Sequence, residues 1–292
     1  MSWIDAHHHL WDLNAVEYPW LMETGVERFF GDPTPIQRNY LMDEFCGDVR
    51  AQGGVGSVHV QVGAQDGWAE AAWIDAQAQA HPDWSMVQVS FADLSAPDAG
   101  AQLDRLSRLP SVRGVRQIVG RAAGEDARNG TNALISDPMF RAHLAALGER
   151  GLSFDVQLTP ALIPAMAELI QECPNTQFAL CHAGSPQNRE MAHIGIWASN
   201  LKRLADLPNV TCKLSGLGMF DHDWSIESMR PIVDICLDLF GAQRVMFGSN
   251  FPVDLLYSDY ATLAEAYRAI IPEAAQADVF FATANRFYRM EL

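Results

Sequence analysis

Residues 151–182, GLSFDVQLTPALIPAMAELIQECPNTQFALCH, contain the unit from which the fold is predicted. Two short apolar runs, 153–158 and 177–182, flank a longer stretch over 160–172 whose apolar residues recur at helical spacing. Pro174 follows that stretch, at a place where a helix is expected to stop. A strand, a helix and a second strand in this order predict a right-handed crossover between parallel strands.

The same alternation extends outward to both ends of the chain. Further strand-like runs are found at 2–10, 57–62, 86–91, 113–119, 210–215 and 244–250. Helical stretches separate them, at 67–80, 98–109, 137–150, 189–206 and 225–240, and a last helical region fills 259–290. Eight strands predict an α/β fold of the (β/α)₈ TIM-barrel type. A doubly wound open sheet is the alternative, but no G-x-G-x-x-G motif follows the first strand.

The length fits one barrel domain over 1–292, since α/β barrels often run to about 250 residues as one unit. Two regions stand outside the repeat, an insertion at about 12–52 and a polar segment at 120–136. Both follow the carboxyl end of a strand, which is the catalytic face of such a barrel. Each is therefore a candidate lid or pocket wall, and a plain surface loop is the alternative for each.

Charge and composition exclude several classes of partner. Lys and Arg number 20 and Asp and Glu number 36, which gives a net charge of −16 and argues against nucleic acid and anionic membranes. No run approaches the roughly 20 apolar residues of a membrane helix. The N-terminus lacks the basic and apolar regions of a secretory signal. Five cysteines without a C-x-x-C pair indicate reduced thiols and predict a cytoplasmic protein.

Three consecutive histidines end the first predicted strand. Alternation along a strand places His7 and His9 on one face together with Asp5, and His8 on the other. The H-x-H spacing suits two imidazoles that bind one metal ion, or two imidazoles that polarise one carbonyl group. An expression tag is the alternative, but a run of three inside an apolar strand argues against it.

A fourth histidine, His182, ends the predicted strand 177–182. By the same alternation it shares a face with Phe178 and Leu180. A lone histidine at such a place is more often a satisfied core residue. Together with the H-x-H pair on the first strand, we interpret it as functional.

Two cations lie inside strand-like runs, where burial of a charge is costly unless an anion is present. Arg116 offers a fork of donors that suits a carboxylate or a hydroxyl-rich substrate, and we favour that role over a structural salt bridge. For Lys213 substrate binding and a structural salt bridge are equally weighted.

Further residues are candidate parts of a pocket. Polar pairs that share a strand face are His59 with Gln61 and Asp155 with Gln157, and they suit the recognition of hydroxyl groups. Aromatic residues that follow the first strand are candidates for an apolar wall, or equally for core packing: Trp11, Tyr18, Trp20 and Phe29.

The last predicted strand ends in FGSNFPVD, with Asn250 at its polar end and Asp254 four residues later. An aspartate at the position of Asn250 would be an obvious general base. Asparagine is neutral, so it can donate or accept a hydrogen bond but cannot take up a proton at neutral pH.

With these residues in place, the chain resembles the amidohydrolase superfamily. The matching segments are DAHHHLWD, YPWL, GVRQIV, CHAGSP, CKLSGL and RVMFGSNFPVD, in this order between residues 4 and 254. They are most similar to the branch that contains L-fuconolactonase, L-rhamnonolactonase and 2-pyrone-4,6-dicarboxylate lactonase. The resemblance implies a distorted (β/α)₈ barrel, in agreement with the strand count.

The resemblance also implies roles for the site residues. His7 and His9 match the first-strand pair and His182 the sixth-strand histidine. Asn250 stands where relatives usually carry the aspartate that activates water, and Cys181 where many have an aspartate before the histidine. The predicted base is therefore open among His182, Asp254 and a neighbouring histidine, with Asn250 positioning the water.

The activity implied is hydrolysis of a small lactone, in first place a sugar-acid lactone. The carbonyl would be polarised by His7, His9 and His182, or by one divalent metal ion that they hold, with zinc favoured; Arg116 would anchor the substrate. Some relatives are thought to work without a metal, so both forms are kept. Monomer and homo-oligomer both fit the sequence.

Two alternatives stay open. One is a metal-dependent decarboxylase or C–C hydrolase of the same superfamily. The other is a catalytically silent barrel that binds a metabolite, since Asn250 removes the usual base.

Overall fold

Eight parallel strands form the centre of the computed structural model, which describes residues 2–120 and 133–292. Their bounds are β1 Trp3–His8, β2 Gly54–Val60, β3 Ser85–Ser90, β4 Val112–Val115, β5 Ser153–Val156, β6 Phe178–Leu180, β7 Val210–Leu214 and β8 Val245–Phe247. They lie side by side in chain order within one sheet. Each overlaps one predicted run, so the strand count read from the sequence is confirmed.

The sheet closes on itself through the segments that follow β1 and β8. The backbone N–H of Asn250 donates to the carbonyl oxygen of His7 at 2.7 Å, and the N–H of His9 donates to that of Phe251 at 2.7 Å. Order and closure together confirm the predicted (β/α)₈ barrel. The same two bonds hold the first and last strand ends next to each other.

Helices cover the outside of the barrel. Their bounds are α1 Pro19–Met22, α2 Met42–Ala51, α3 Gly67–Ala80, α4 Ala99–Leu106, α5 Ala133–Ser136, α6 Pro138–Ala145, α7 Ile163–Gln171, α8 Met191–Ala205, α9 Ile226–Phe240, α10 Tyr260–Ile270, α11 Glu273–Ala277 and α12 Thr283–Tyr288. Local chemistry sets the ends of α6: the Asp137 carboxylate accepts hydrogen bonds from the backbone N–H groups of Met139 and Phe140. The helix ends earlier than predicted, and a 3₁₀ turn leads to Gly151 at φ 66°.

Two apolar layers hold these elements together. Inside the barrel, small and branched side chains such as Ile4, Val58 and Val89 pack with Tyr288 and Met290 from the C-terminal segment. The second and larger layer lies between the strands and the helices. Because the C-terminal segment fills one end of the barrel, the carboxyl ends of the strands are left to form a cavity.

Strand β1 departs from the expected alternation. Its pairing with β2 is irregular between Asp5 and His8, where three steps on β1 match two on β2. The Asp5 carboxylate accepts a hydrogen bond from the hydroxyl of Tyr260 on α10, outside the barrel, at 3.0 Å. The predicted common face of Asp5 with His7 is therefore wrong, because one extra residue reverses the alternation. His8 does point away, and its ring stacks on Phe45 of α2 at 3.8 Å.

The insertion at 12–52 contains α1, a 3₁₀ turn at Thr34–Ile36 and α2. An antiparallel bridge between Trp11 and Tyr40 fastens it to the end of β1. Residues 121–132 of the other predicted lid candidate lie outside the described residues. None of the helices in the described ranges is long and apolar enough to cross a membrane.

Candidate active site

A cavity of about 440 Å³ opens at the carboxyl ends of the strands. Residues that follow β1, β2, β4, β5, β6, β7 and β8 line it together with the insertion: His9, Pro19, Trp20, Glu23, Arg28, Phe29, Phe30, Val62, Gly63, Ala64, Gln65, Arg116, Ile118, Gln157, His182, Met219, Asn250 and Val253. In barrels of this type the catalytic groups lie at this end. Five of the predicted site residues therefore meet in one place: His9, Arg116, Gln157, His182 and Asn250.

Three imidazoles form a cluster at the base of the barrel mouth, where His9 and His182 line the cavity and His7 is fully buried. The ring centroids of His7 and His9 lie 5.1 Å apart, and those of His7 and His182 lie 4.6 Å apart. Burial lowers the pKa of His7 and His9 well below its ordinary value, and burial together with Arg116 lowers that of His182 to about 3. All three rings are therefore neutral at physiological pH, and each offers one N–H donor and one lone pair.

The hydrogen-bond partner of His9 determines its tautomer. Its Nδ1 lies 2.6 Å from the carbonyl oxygen of Val60, which can only accept, so Nδ1 carries the hydrogen. The lone pair of the neutral ring is then on Nε2. That nitrogen lies 3.2 Å from Oδ1 of Asn250 at the cavity wall.

His182 reaches the cavity through an unusual backbone turn. Strand β6 ends at Leu180, and His182 has a left-handed φ of 54°. Phe178 and Leu180 belong to the outer apolar layer, so the predicted common face of His182 with them is wrong. The left-handed residue rotates the imidazole inward, where its Nδ1 lies 2.9 Å from Oγ of Ser215.

Arg116 brings a positive charge into the site. Its side chain is 4% exposed, and its Nη groups donate to the side-chain oxygen of Gln157 at 2.7 Å and to the carbonyl oxygen of Gln61. Both acceptors are neutral, the buried Nε has no hydrogen-bond partner among the described residues, and no described carboxylate forms an ion pair with this guanidinium. An anion or a developing negative charge in the cavity would complete its environment.

Asn250 and Asp254 form a buried pair at the cavity wall. Nδ2 of Asn250 lies 2.6 Å from Oδ2 of Asp254, and the backbone N–H of Gly218 donates to Oδ1 at 3.1 Å. Burial raises the pKa of the Asp254 carboxyl to about 7. Asn250 touches the cavity, whereas Asp254 does not line it.

The chain is similar to known proteins along almost its whole length. The amidohydrolase family model matches residues 4–290. The chain belongs to the amidohydrolase family. It is 36% identical to an uncharacterised protein of Sinorhizobium fredii, over 98% of each chain. It is 30% identical to an L-fucono-1,5-lactonase of Burkholderia multivorans, over 98% of this chain and 96% of the relative.

The fold of this amidohydrolase is also similar to solved structures. A zinc-bound amidohydrolase from Burkholderia multivorans superimposes with a TM-score of 0.82 at 27% identity, with 99% of each chain covered. A putative 2-pyrone-4,6-dicarboxylic acid hydrolase from Pseudomonas putida superimposes with a TM-score of 0.73 at 20% identity, over 99% and 98% of the two chains. At 20% identity, the similarity to this second structure shows a shared fold and nothing more.

The donor atoms of this amidohydrolase do not fit a metal ion as they are arranged. Among the described residues, no three His, Cys, Asp or Glu side chains are grouped as ligands. Both ring nitrogens of His9 already face oxygens, and position 250 carries a neutral amide. The nearby charges of Arg116 and Lys213 oppose a further cation. Of the three clustered imidazoles, only that of His7 has both ring nitrogens buried without a hydrogen-bond partner in the described chain. In the part of the chain that the structure describes, the predicted zinc ion therefore has no ligand set.

Lys213 is one predicted substrate-binding residue that the structure places elsewhere. It is fully buried, and its Nζ lies 2.6 Å from Oδ2 of Asp155 and 2.8 Å from the carbonyl oxygen of Ala6. Tyr288 donates to the same carboxylate at 2.9 Å. The salt bridge fills the barrel interior below the cavity, which makes the structural alternative the correct one.

Three other predicted contacts lie behind the cavity wall. Trp11 is buried, and its Nε1 donates to the carbonyl oxygen of Arg38 at 2.6 Å. His59 accepts from the backbone N–H of Leu10, and Gln61 accepts from that of Gly63. None of the three lines the cavity, so the structure gives no support to their predicted direct contact with substrate. They hold the strand ends in place.

Residues of the insertion that the sequence did not single out complete the rim. Glu23 and Arg28 form an ion pair at 3.0 Å, and the ring of Phe30 packs edge-on against Trp20. Trp20 and Phe29, which were predicted for the wall, do line the cavity, whereas Tyr18 is buried behind it. The signal that could have identified these rim residues from the sequence is their place in the insertion after β1, at the catalytic face of the barrel.

Proposed function

We propose that this amidohydrolase hydrolyses the ring ester of a small lactone, with sugar-acid lactones as the first class to test. The observation that carries the proposal is that two neutral imidazoles, His9 and His182, line one cavity together with Arg116, whose buried charge forms no ion pair with a described carboxylate. Support comes from the relatives named L-fucono-1,5-lactonase, at 30% and 28% identity over nearly the whole chain.

The electrophilic side of the site consists of His182 and Arg116. Oγ of Ser215 accepts from the backbone N–H of His182, and we assign the hydroxyl hydrogen to the bond with Nδ1 at 2.9 Å. Nε2 then carries its hydrogen toward the cavity as a donor for the lactone carbonyl oxygen. The charge of Arg116 stabilises the negative charge that develops on that oxygen during attack.

The nucleophilic side is formed by His9. Its Nε2 lone pair takes one proton from water while the water oxygen bonds to the carbonyl carbon. When the tetrahedral intermediate collapses, the bond from this carbon to the ring oxygen breaks, and the ring oxygen takes up the proton that His9 received from water, which restores the neutral imidazole. The product is an open-chain hydroxy acid, and a tethered leaving group suits an enclosed pocket.

The cavity wall suits a hydroxylated ring. A volume of about 440 Å³ lies within the range of small-ligand pockets. The faces of Trp20 and Phe29 offer apolar surface to the C–H groups of a sugar ring, and Gln157 and Glu23 offer hydrogen bonds to hydroxyl groups.

The test is turnover of a panel of sugar-acid 1,4- and 1,5-lactones, L-fucono-1,5-lactone among them, measured by acid release. We expect His182→Gln and His9→Gln to lower kcat/KM by roughly 100-fold or more. His193→Asn, at an exposed histidine on α8, is the matched control. Unchanged turnover in the first two variants would refute the assignment. Carbon dioxide release from an aromatic acid would instead support the decarboxylase alternative.

A further inference from the structure

The position at which the family resemblance implies an aspartate holds the amide of Asn250, and the orientation of this amide has chemical consequences. A carboxylate can only accept hydrogen bonds, so ionised Asp254 must face the NH₂ end of the Asn250 amide, and their contact is 2.6 Å. The other end of the amide, Oδ1, is then directed at Nε2 of His9 and the cavity.

This arrangement brings two acceptors together. Nδ1 of neutral His9 donates to Val60, so its Nε2 is a lone pair, and it faces Oδ1 of Asn250 at 3.2 Å. Neither atom can satisfy the other. A water molecule beside them satisfies both, because it has two hydrogens to donate and keeps its lone pairs free for attack.

We propose that Asp254 is a positioning residue that locks the Asn250 amide with its oxygen toward the cavity, so that Asn250 and His9 together bind and aim the attacking water. This inference rests on the proposed lactone hydrolysis and deepens it. Asp254 is itself held in place, because it is fully buried and because the backbone N–H of Gly218 donates a hydrogen bond to its second carboxylate oxygen at 3.1 Å.

The conservative variant Asp254→Asn isolates this contact. The new amide oxygen can still accept from Gly218, which leaves its NH₂ group facing Asn250. The Asn250 amide must then turn its oxygen to residue 254 and its NH₂ group to the cavity. A donor replaces the acceptor, and we expect kcat to fall by roughly 10- to 100-fold while KM stays near the wild-type value.

The double variant Asn250→Asp/Asp254→Asn distinguishes a positioning role of residue 254 from a purely stabilising one. The hydrogen bond is kept with its polarity reversed, and a carboxylate oxygen faces the cavity as an acceptor. We expect the double variant to recover most of the kcat lost in Asp254→Asn. Asp75→Asn, which alters another buried carboxylate on α3, is the control and should retain wild-type kcat.

A measurement without substrate decides the orientation itself. Hydrogen exchange of the Asn250 side-chain amide, followed by NMR, should be slow in the wild type and fast in Asp254→Asn. Equal exchange in both proteins, or wild-type kcat in Asp254→Asn, would overturn the inference. If the wild type hydrolyses no lactone, only the proposed function is refuted. The exchange experiment needs no substrate and still tests whether Asp254 holds the Asn250 amide in place.

Discussion

Nδ1 of His182 lies 2.9 Å from the hydroxyl oxygen of Ser215, and this contact determines which ring nitrogen faces the cavity. Ser215 follows β7 directly, and His182 follows β6, so the contact spans two adjacent strand ends. The same hydroxyl also accepts from the backbone N–H of His182 at 3.3 Å. A single side chain thus fixes both the left-handed turn and the ring orientation.

The variant Ser215→Ala should therefore impair catalysis more than folding. The His182 ring loses its only described side-chain hydrogen bond and can rotate, so we expect kcat to fall on the order of 10- to 100-fold. The free energy of unfolding should decrease by about 1–2 kcal/mol, because Nδ1 is left without a partner. Steady-state kinetics and denaturant melts measure the two effects. A wild-type kcat would show that the hydroxyl does not orient the ring.

Gly216 is required beside the same ring. A Cβ atom there would lie 2.5 Å from Nδ1 of His182, and its φ of 62° is left-handed. Gly216→Ala should therefore lose both activity and stability. Gly151→Ala is the matched control, with a φ of 66° and no atom within 4 Å of the added Cβ.

Both alanine variants should lose about 1–2 kcal/mol of stability from backbone strain. Only Gly216→Ala should also lose kcat, since only there does the added methyl group meet a site residue. Equal kcat in the two variants, compared at a temperature where both are folded, would contradict the close approach.

The buried pair of Lys213 and Asp155 should contribute to stability alone. Lys213→Met leaves a carboxylate unpaired in the barrel, and we expect a loss of roughly 3–5 kcal/mol in denaturant melts. Adding Asp155→Asn should restore part of that loss. The kcat of the folded double variant should match the wild type, because neither residue lines the cavity. A specific rise of KM in the double variant would reinstate a role in substrate binding.

The pH profile of kcat should show a rise as the pH increases through about 7, where Asp254 ionises and locks Asn250. The groups that face this carboxyl are the Gly218 N–H, the Asn250 amide and two tyrosines, Tyr257 and Tyr267, whose pKa values are raised above the ordinary range. The tyrosines are uncharged in this window, so the step belongs to Asp254. In the Asp254→Asn variant this step should be absent.

The same group should affect stability with the opposite sign. Burial raises the pKa of Asp254 from its ordinary value of 3.8 to about 7, so its contribution to stability is present below pH 4 and is lost as the pH rises to about 7. As the pH rises through this range, the melting temperature of the wild type should therefore fall relative to that of Asp254→Asn. If the difference between the two melting temperatures did not change with pH, Asp254 would not be the group that ionises in this range.

Metal removal tests the arrangement of donors. Because the three imidazoles do not form a ligand set, we expect chelator-treated protein to keep its lactone turnover. Metal analysis of the untagged protein, before and after chelation, provides the control. A stoichiometric ion whose removal abolishes activity, and whose return restores it, would show that the donors rearrange around a metal.

Part of the site was predictable from the sequence because the apolar runs show where each strand ends. Apolar runs and helix spacing gave eight strands in order, and parallel strands in a barrel place their carboxyl ends together. His9, Arg116 and Asn250 follow such ends, so their convergence is a consequence of the repeat. The insertion after β1 was expected at the same face for the same reason.

The orientation of individual side chains was not predictable from alternation. One extra residue in β1 turned Asp5 outward, and a left-handed φ at His182 turned its ring inward. Both depend on backbone geometry that neighbouring strands impose, and a period-two rule contains no information about it.

By itself, the sequence determined the barrel, its strand order and the end at which its polar residues meet, because these depend on local periodicity repeated along the chain. Only the tertiary structure decided that Lys213 binds Asp155 below the cavity and that Asp254 lies behind Asn250. Those partners are 58 and 4 residues apart in sequence. What joins them is the burial of charge, since a charged group without solvent must take whichever partner the completed packing brings within reach.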